Sequence, residues 1–206
     1  MDEIVRQAMQ KWPDVPHCHG WLRLDARGVW RMRDERTRQL GLPGEPIRHP
    51  ALLEFIGRNY AHDAQGRWYF QNGPQRVYVD LAMTPYVART RPAGQEMELV
   101  LHTGETVDRI DAAWMDDSGR LYLMCEQGPA ALDDRDLADL LPSLRMPAAS
   151  GQDAEEALLQ WLTEAQGEDE ASAPVLHHRE QAVRIGRLDA ATLESRLRFI
   201  AMPREA

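Results

Sequence analysis

The chain is poor in lysine: of its 24 basic residues only Lys11 is not arginine. No Gly-x-x-x-x-Gly-Lys-Ser/Thr or Gly-x-Gly-x-x-Gly run occurs, so the usual phosphate-cradling loops are missing and nucleotide hydrolysis is disfavoured. Only two cysteines are present, Cys18 and Cys125. They are too few and too far apart for a disulfide framework or a four-cysteine zinc site, and both read as buried or idle thiols. No Gly-x-Ser-x-Gly elbow is found and neither cysteine sits in a nucleophile signature. No catalytic residue and no cofactor is therefore assigned. No apolar run approaches the roughly 20 residues that span a bilayer, and the acidic start Met1-Asp2-Glu3 lacks the pattern of a signal peptide. A cytoplasmic location without membrane contact is the expectation.

What is present is the composition of a globular chain, 43% hydrophobic and 28% charged over 206 residues. That length allows roughly 70% of the unfolded surface to be buried. Charge is unevenly placed. The net charge is −9, and seven uncompensated acids fall in one stretch (Asp153, Glu155, Glu156, Glu164, Glu168, Asp169, Glu170), without which −2 remains. A general nucleic-acid binder is disfavoured on that balance.

One phrase recurs three times: "DARGVWRM" at 25–32, "DAQGRWYF" at 63–70 and "DSGRLYLM" at 117–124. Asp-x-x-Gly between alternating apolar and polar runs signals a hairpin, because aspartate accepts local amides and glycine takes positive φ. Three β-turns follow. Between the first two, Pro50 opens a helix over about 50–60, with Leu52, Phe55, Ile56 and Tyr60 on one face. After the third, Asp133 or Asp134 caps a helix carrying Leu137, Leu140 and Leu141. The fold class read from this is α+β, with antiparallel sheets, a hairpin-helix unit occurring twice (Trp21 to Tyr60 and Trp114 to Leu141), and C-terminal helices. Residues 1–143 form the duplicated core. Residues 144–206 form a helical extension packed on it, with an acidic loop at 166–173.

Candidate chemistry is sparse. His17-Cys18-His19 offers imidazole and thiol ligands, with His49, His62 or His102 as a possible fourth group. On a strand the two histidines point opposite to Cys18, so one ion cannot take all three without a bend. A polar loop with one buried thiol is the plainer account. His177 and His178 read as partly exposed strand residues, and His49 as a helix-start residue whose imidazole accepts an amide. The arginines Arg23, Arg27, Arg31, Arg33, Arg36 and Arg38 lie among Asp25, Asp34 and Glu35, the pattern of a solvated, ion-paired face. Trp21, Trp30 and Trp68 fill a core or, for one or two of them, form a recognition surface. Gln71, Asn72, Gln75 and Arg76 surround a turn that serves equally as a polar rim for a ligand or partner.

The runs "GVWRM", "EPIRHPALLEFIGRNYAHDAQGRWYFQNGPQRVYVDLAMTPYVA" and "AAWMDDSGRLYLMCEQGPAALDDRDLADLL" resemble a proteobacterial family that carries only a domain-of-unknown-function label. The resemblance covers about residues 20–141. It implies a repeated α+β motif, a role in signalling or scaffolding, and no assigned catalytic residues. The functional expectation is a cytoplasmic, non-enzymatic interaction module whose partner is another protein. The alternatives are a metal-binding protein centred on His17, Cys18 and His19, and a sensor of a small ligand.

Overall fold

The computed structural model describes residues 1–94, 96–147, 154–163 and 172–205. The chain forms two compact units. One comprises Met1–Pro85, His102–Gly104 and Arg198–Ala206; the other comprises Tyr86–Leu101 and Glu105–Leu197.

The first unit contains helix α1 (Glu3–Lys11), strands β1 (Cys18–Leu24) and β2 (Trp30–Met32), helix α2 (Glu35–Gln39), strand β3 (Glu45–Pro46), helix α3 (Pro50–Arg58), and strands β4 (Tyr60–His62), β5 (Trp68–Asn72) and β6 (Gln75–Leu81). Its sheet runs β3-β2-β1-β6-β5-β4. Every neighbouring pair is antiparallel except β1 and β6. Helix α3 starts at Pro50, whose fixed φ suits a first turn. Its cap, His49, makes no side-chain bond and caps with its backbone carbonyl instead, which corrects the expected imidazole acceptor. One face of the sheet is apolar. Trp30 meets Tyr60 edge-on at 5.1 Å, Tyr60 meets Trp68 at 4.9 Å, and Phe55 of α3 meets Phe70 edge-on at 5.4 Å. Such ring pairs stabilise beyond their buried area.

The second unit contains β7 (Tyr86–Ala93), β8 (Glu96–Leu101), β9 (Ile110–Met115), β10 (Leu121–Cys125), β11 (Gly128–Leu132), α4 (Leu137–Leu140), β12 (Leu144–Arg145), α5 (Ala154–Thr163), β13 (Val175–His178), β14 (Gln181–Arg187) and α6 (Leu193–Leu197). Its sheet runs β12-β13-β14-β9-β10-β11-β7-β8. β11 lies parallel to β7, and β14 parallel to β9. The segment after 143 is thus not a separate extension: β12, β13 and β14 continue the second sheet, and Arg198 onward belongs to the first unit. Of the expected acidic loop at 166–173, residues 166–171 lie outside the described residues, as do Asp153, Glu164, Glu168, Asp169 and Glu170. His178, expected to be partly exposed, is buried, with its Nε2 2.8 Å from the Val107 carbonyl oxygen. Burial pushes the Cys125 thiol up to about 12, which makes it inert.

The three Asp-x-x-Gly phrases fold alike. Gly28, Gly66 and Gly119 take φ of 75°, 77° and 80°. Each donates its amide to the carbonyl of its aspartate at 3.0–3.1 Å, and each aspartate amide returns a bond to the residue four on at 3.1 Å. The carboxylate Oδ1 accepts amides two and four residues on, at 2.9–3.1 Å, in every copy. Burial alone would raise these acids. The amides of Val29, Arg67 and Arg120 and neighbouring side-chain donors outweigh it and hold Asp25, Asp63 and Asp116 below the usual carboxylate range.

The two sheets also share a strand order. In one, β2-β1-β6-β5-β4 is a hairpin followed by a three-strand meander whose last strand runs parallel beside the first. In the other, β8-β7-β11-β10-β9 is the same arrangement. The turns at Asp63 and Asp116 fall at equivalent places, between the first two meander strands. In residues 21–60 the hairpin leads straight to a helix; in 114–141 a third strand, β11, intervenes before α4.

Candidate binding face

Strand β1 alternates. Leu22 and Leu24 are buried, while His19, Trp21 and Arg23 point to the opposite, polar face of the first sheet. Ladder partners share a face, so Arg31, Arg23 and Asp80 form one row across β2, β1 and β6. The amide of Arg33 bonds the Trp21 carbonyl at 2.8 Å and extends the ladder by another pair. Between Cys18 and Leu22 the register of β1 against β6 slips, with Gly20 at φ 78°, so that His19 stacks flat on Tyr78 at 4.6 Å.

Trp21 is 39% exposed and carries the Arg38 guanidinium over its ring at 4.8 Å. Arg76 lies over Tyr69 at 4.6 Å and Arg67 over Tyr78 at 5.0 Å. Asp80 is buried and is paired by two arginines: Arg33, also buried, and Arg204, whose Nη1 lies 3.0 Å from Oδ1. Arg33 Nε donates in addition to the Gly20 carbonyl at 2.9 Å. Arg31 Nε pairs with Asp25 Oδ2 at 2.8 Å. Two donor-bearing atoms of β1, His19 Nε2 and Arg23 Nε, are buried and find no hydrogen-bond partner among the described residues.

The sequence candidates divide accordingly. Gln71, Asn72, Gln75 and Arg76 form the end of the β5–β6 hairpin, and Gln75 Nε2 donates to the Pro16 carbonyl at 2.9 Å, bringing that hairpin beside His17. His17 meets Tyr78 edge-on at 5.8 Å. His17, Gln75 and Arg76 thus gather at one end of the β1–β6 pair, with His19 and Trp21 further along β1. Trp30 and Trp68 lie in the core, 3% and 4% exposed. Gln71 is also buried, its Nε2 donating to the Gly73 carbonyl at 2.8 Å.

Among the described residues no three His, Cys, Asp or Glu side chains converge to hold a metal. Cys18 stands opposite Val77, away from the two histidines. Burial, then the charges of Arg76 and Arg67, lowers the His17 imidazole; burial also lowers His19, against the opposing charge of Glu205. His62 and His102 pack on Trp68 and Trp30 instead. In the second unit a cavity of about 110 Å³ is lined by Ser118, Gly119, Arg120, Asp133, Asp134 and Leu137, among others. Asp133, at its wall, is buried and paired with Arg135 at 2.6 Å and Arg89 at 3.5 Å.

Fold and face together define a mixed α+β protein of two mostly antiparallel sheets, one of which carries an arginine- and aromatic-lined surface. The chain belongs to the family whose model, DUF2944, bears the description "Protein of unknown function (DUF2946)" and matches residues 1–204. It is similar to a solved DUF1285 family protein from Silicibacter pomeroyi DSS-3, with a TM-score of 0.50 and 14% identity over 89% of this chain and 94% of that one. A DUF1285 family protein from Shewanella baltica OS155 gives a TM-score of 0.43 and 14% identity over 60% and 91%. At such identity the first likeness speaks to the fold alone. No curated protein matches the chain. Among the described residues no helix is long and apolar enough to cross a membrane.

Proposed function

We propose that this chain is a non-enzymatic, cytoplasmic interaction module that contacts another protein through the polar face of the first sheet, in a signalling or scaffolding role. The observation that carries the reading is Trp21: a large indole left 39% exposed in mid-strand, with the Arg38 guanidinium over its ring. Tryptophan, tyrosine and arginine are the residues that dominate protein interfaces. A strand face that exposes a tryptophan among arginines, with Tyr69 and Tyr78 buried beneath Arg76 and Arg67, is the arrangement such a contact needs. The shared strand order of the two sheets supports an origin by duplication, with the partner face kept on one copy.

The test is differential capture. Full-length chain, the Trp21→Ala/Arg76→Glu variant and a control altered at Arg109, an exposed residue of the second unit, are used as parallel baits. Partners retained by wild type and control but lost by the double variant support the reading. Identical recovery on all three baits rejects this face as the contact surface.

A further inference from the structure

We infer that Arg23 is a binding site for an oxyanion, a carboxylate or phosphate carried by a small organic ligand. The argument starts from an internal comparison. Arg23 of β1 stands opposite Asp80 of β6 across a parallel ladder. In the second sheet Leu132 of β11 stands opposite Ala88 of β7, so the next pair in that parallel register is Asp133 with Arg89. Asp80 and Asp133 also lie equally far downstream of their turn aspartates, Asp63 and Asp116. Arg23 and Arg89 are therefore counterparts, as are the two buried acids.

Their pairing differs. Arg89 Nε lies at ion-pair distance from Asp133, 3.5 Å, although that contact is too long to count as a hydrogen bond. Asp80 is instead taken by Arg33 and by Arg204 of the C-terminal segment. The next carboxylate on the face, Asp25, is also committed, to Arg31 and to the amides of Arg27 and Val29. Among the described residues Arg23 is left with no ion pair and with a buried Nε that has no acceptor, in a row that already holds Arg31. A buried guanidinium donor without an acceptor is costly, and its fork geometry matches carboxylate or phosphate. An oxyanion on Arg23 supplies the charge that Arg89 draws from its own chain. Two residues back along the strand, about 7 Å away, Trp21 offers a flat apolar surface to the body of such a ligand. Small organic acids and organic phosphates fit that combination; the bare anion engages only half of it.

This inference uses the same face as the partner reading but does not depend on it. The measurement is the NMR resonance of the Arg23 Nε–H group in the full chain, assigned by its loss in Arg23→Met. It is titrated with inorganic phosphate, phenyl phosphate and benzoate against chloride at matched ionic strength. A saturable shift is expected, with phenyl phosphate binding more tightly than inorganic phosphate; the stronger of the phenyl phosphate and benzoate arms identifies the anion. Read on the Trp21 indole N–H resonance, which every variant keeps, Arg23→Met weakens binding by at least about ten-fold, Arg23→Lys by less, and Arg89→Met leaves it unchanged. Arg204→Met also weakens it, because Asp80 then becomes available to Arg23. A resonance unmoved by all three probes beyond the chloride control, or equal affinity in Arg23→Met, overturns the site. Partner capture that persists after such a result keeps the interaction reading and removes only the anion.

Discussion

Asp116 gathers four donors: the amides of Ser118 and Arg120 and the Ser118 hydroxyl on Oδ1, and the Tyr122 hydroxyl on Oδ2 at 2.9 Å. Asp116→Ala removes the turn acceptor and leaves the buried Tyr122 hydroxyl without a partner. A loss of about 2 kcal/mol or more is expected in urea unfolding, against about 1 kcal/mol for Asp25→Ala, where no tyrosine is involved. The same chemistry sets an acid limit. Asp133 is lowered to about 2 by the Arg135 guanidinium, against the opposing effect of burial, and Asp25, Asp63 and Asp116 are also lowered. A depressed carboxyl stabilises the fold above its unfolded value of about 3.9, and that stability is lost as pH falls through the folded value. The melting temperature is therefore expected to fall steeply from about pH 4 toward pH 2. Asp133→Asn flattens that slope, and a slope unchanged in the variant contradicts the assignment.

At the scale of elements, Gly66 and Gly119 make one backbone conformation in two settings. Both have φ near 80°. A side chain at Gly66 would meet the Arg198 carbonyl oxygen at 2.5 Å, whereas at Gly119 it would meet only a Leu162 methyl at 3.6 Å. Gly119→Ala carries the conformational cost of about 1 kcal/mol, and Gly66→Ala costs clearly more because the C-terminal segment must move aside. Thermal melts of the two variants separate these terms. The turns themselves were legible in the sequence because their chemistry is local: an acceptor at the first position and a positive φ at the fourth. The parallel neighbours β1–β6 and β7–β11 were not, since nothing within either strand encodes a partner so far along the chain. For the same reason Trp30 and Trp68 could not be told from Trp21 by spacing near a turn. Which face each indole takes depends on the register slip at Gly20 and on the apolar side that α3 covers. The isolation of Arg23 was hidden as well. Asp25, Asp34 and Glu35 follow it closely in sequence, yet Asp25 serves Arg31, Asp34 accepts the Thr37 amide at 2.7 Å as the cap of α2, and Glu35 pairs with Arg38.

The whole chain does not fold in the order it is written. The first unit begins at Met1, takes in His102–Gly104 and is completed by Arg198 onward. That last segment is bound by backbone as well as side chains: the Ile200 amide donates to the Gly66 carbonyl at 3.0 Å, and the Leu81 amide to the Ala201 carbonyl at 2.8 Å. Phe199 is buried, and Arg204 supplies one of the two cations on buried Asp80. Removing it strips an acceptor from Leu81, uncovers apolar surface and leaves Asp80 with a single partner, losses that compound within one small core. A fragment ending at Pro85 is therefore expected to give the poorly dispersed NMR spectrum of an unfolded or molten chain. Adding a peptide of residues 198–206 in trans should restore part of the dispersion. The same peptide with Phe199→Ala and Arg204→Ala should not, because it loses the buried ring and one of the two cations on Asp80. A fragment that ends at Pro85 and folds fully without the peptide contradicts the assignment of the C-terminal segment to the first unit's core.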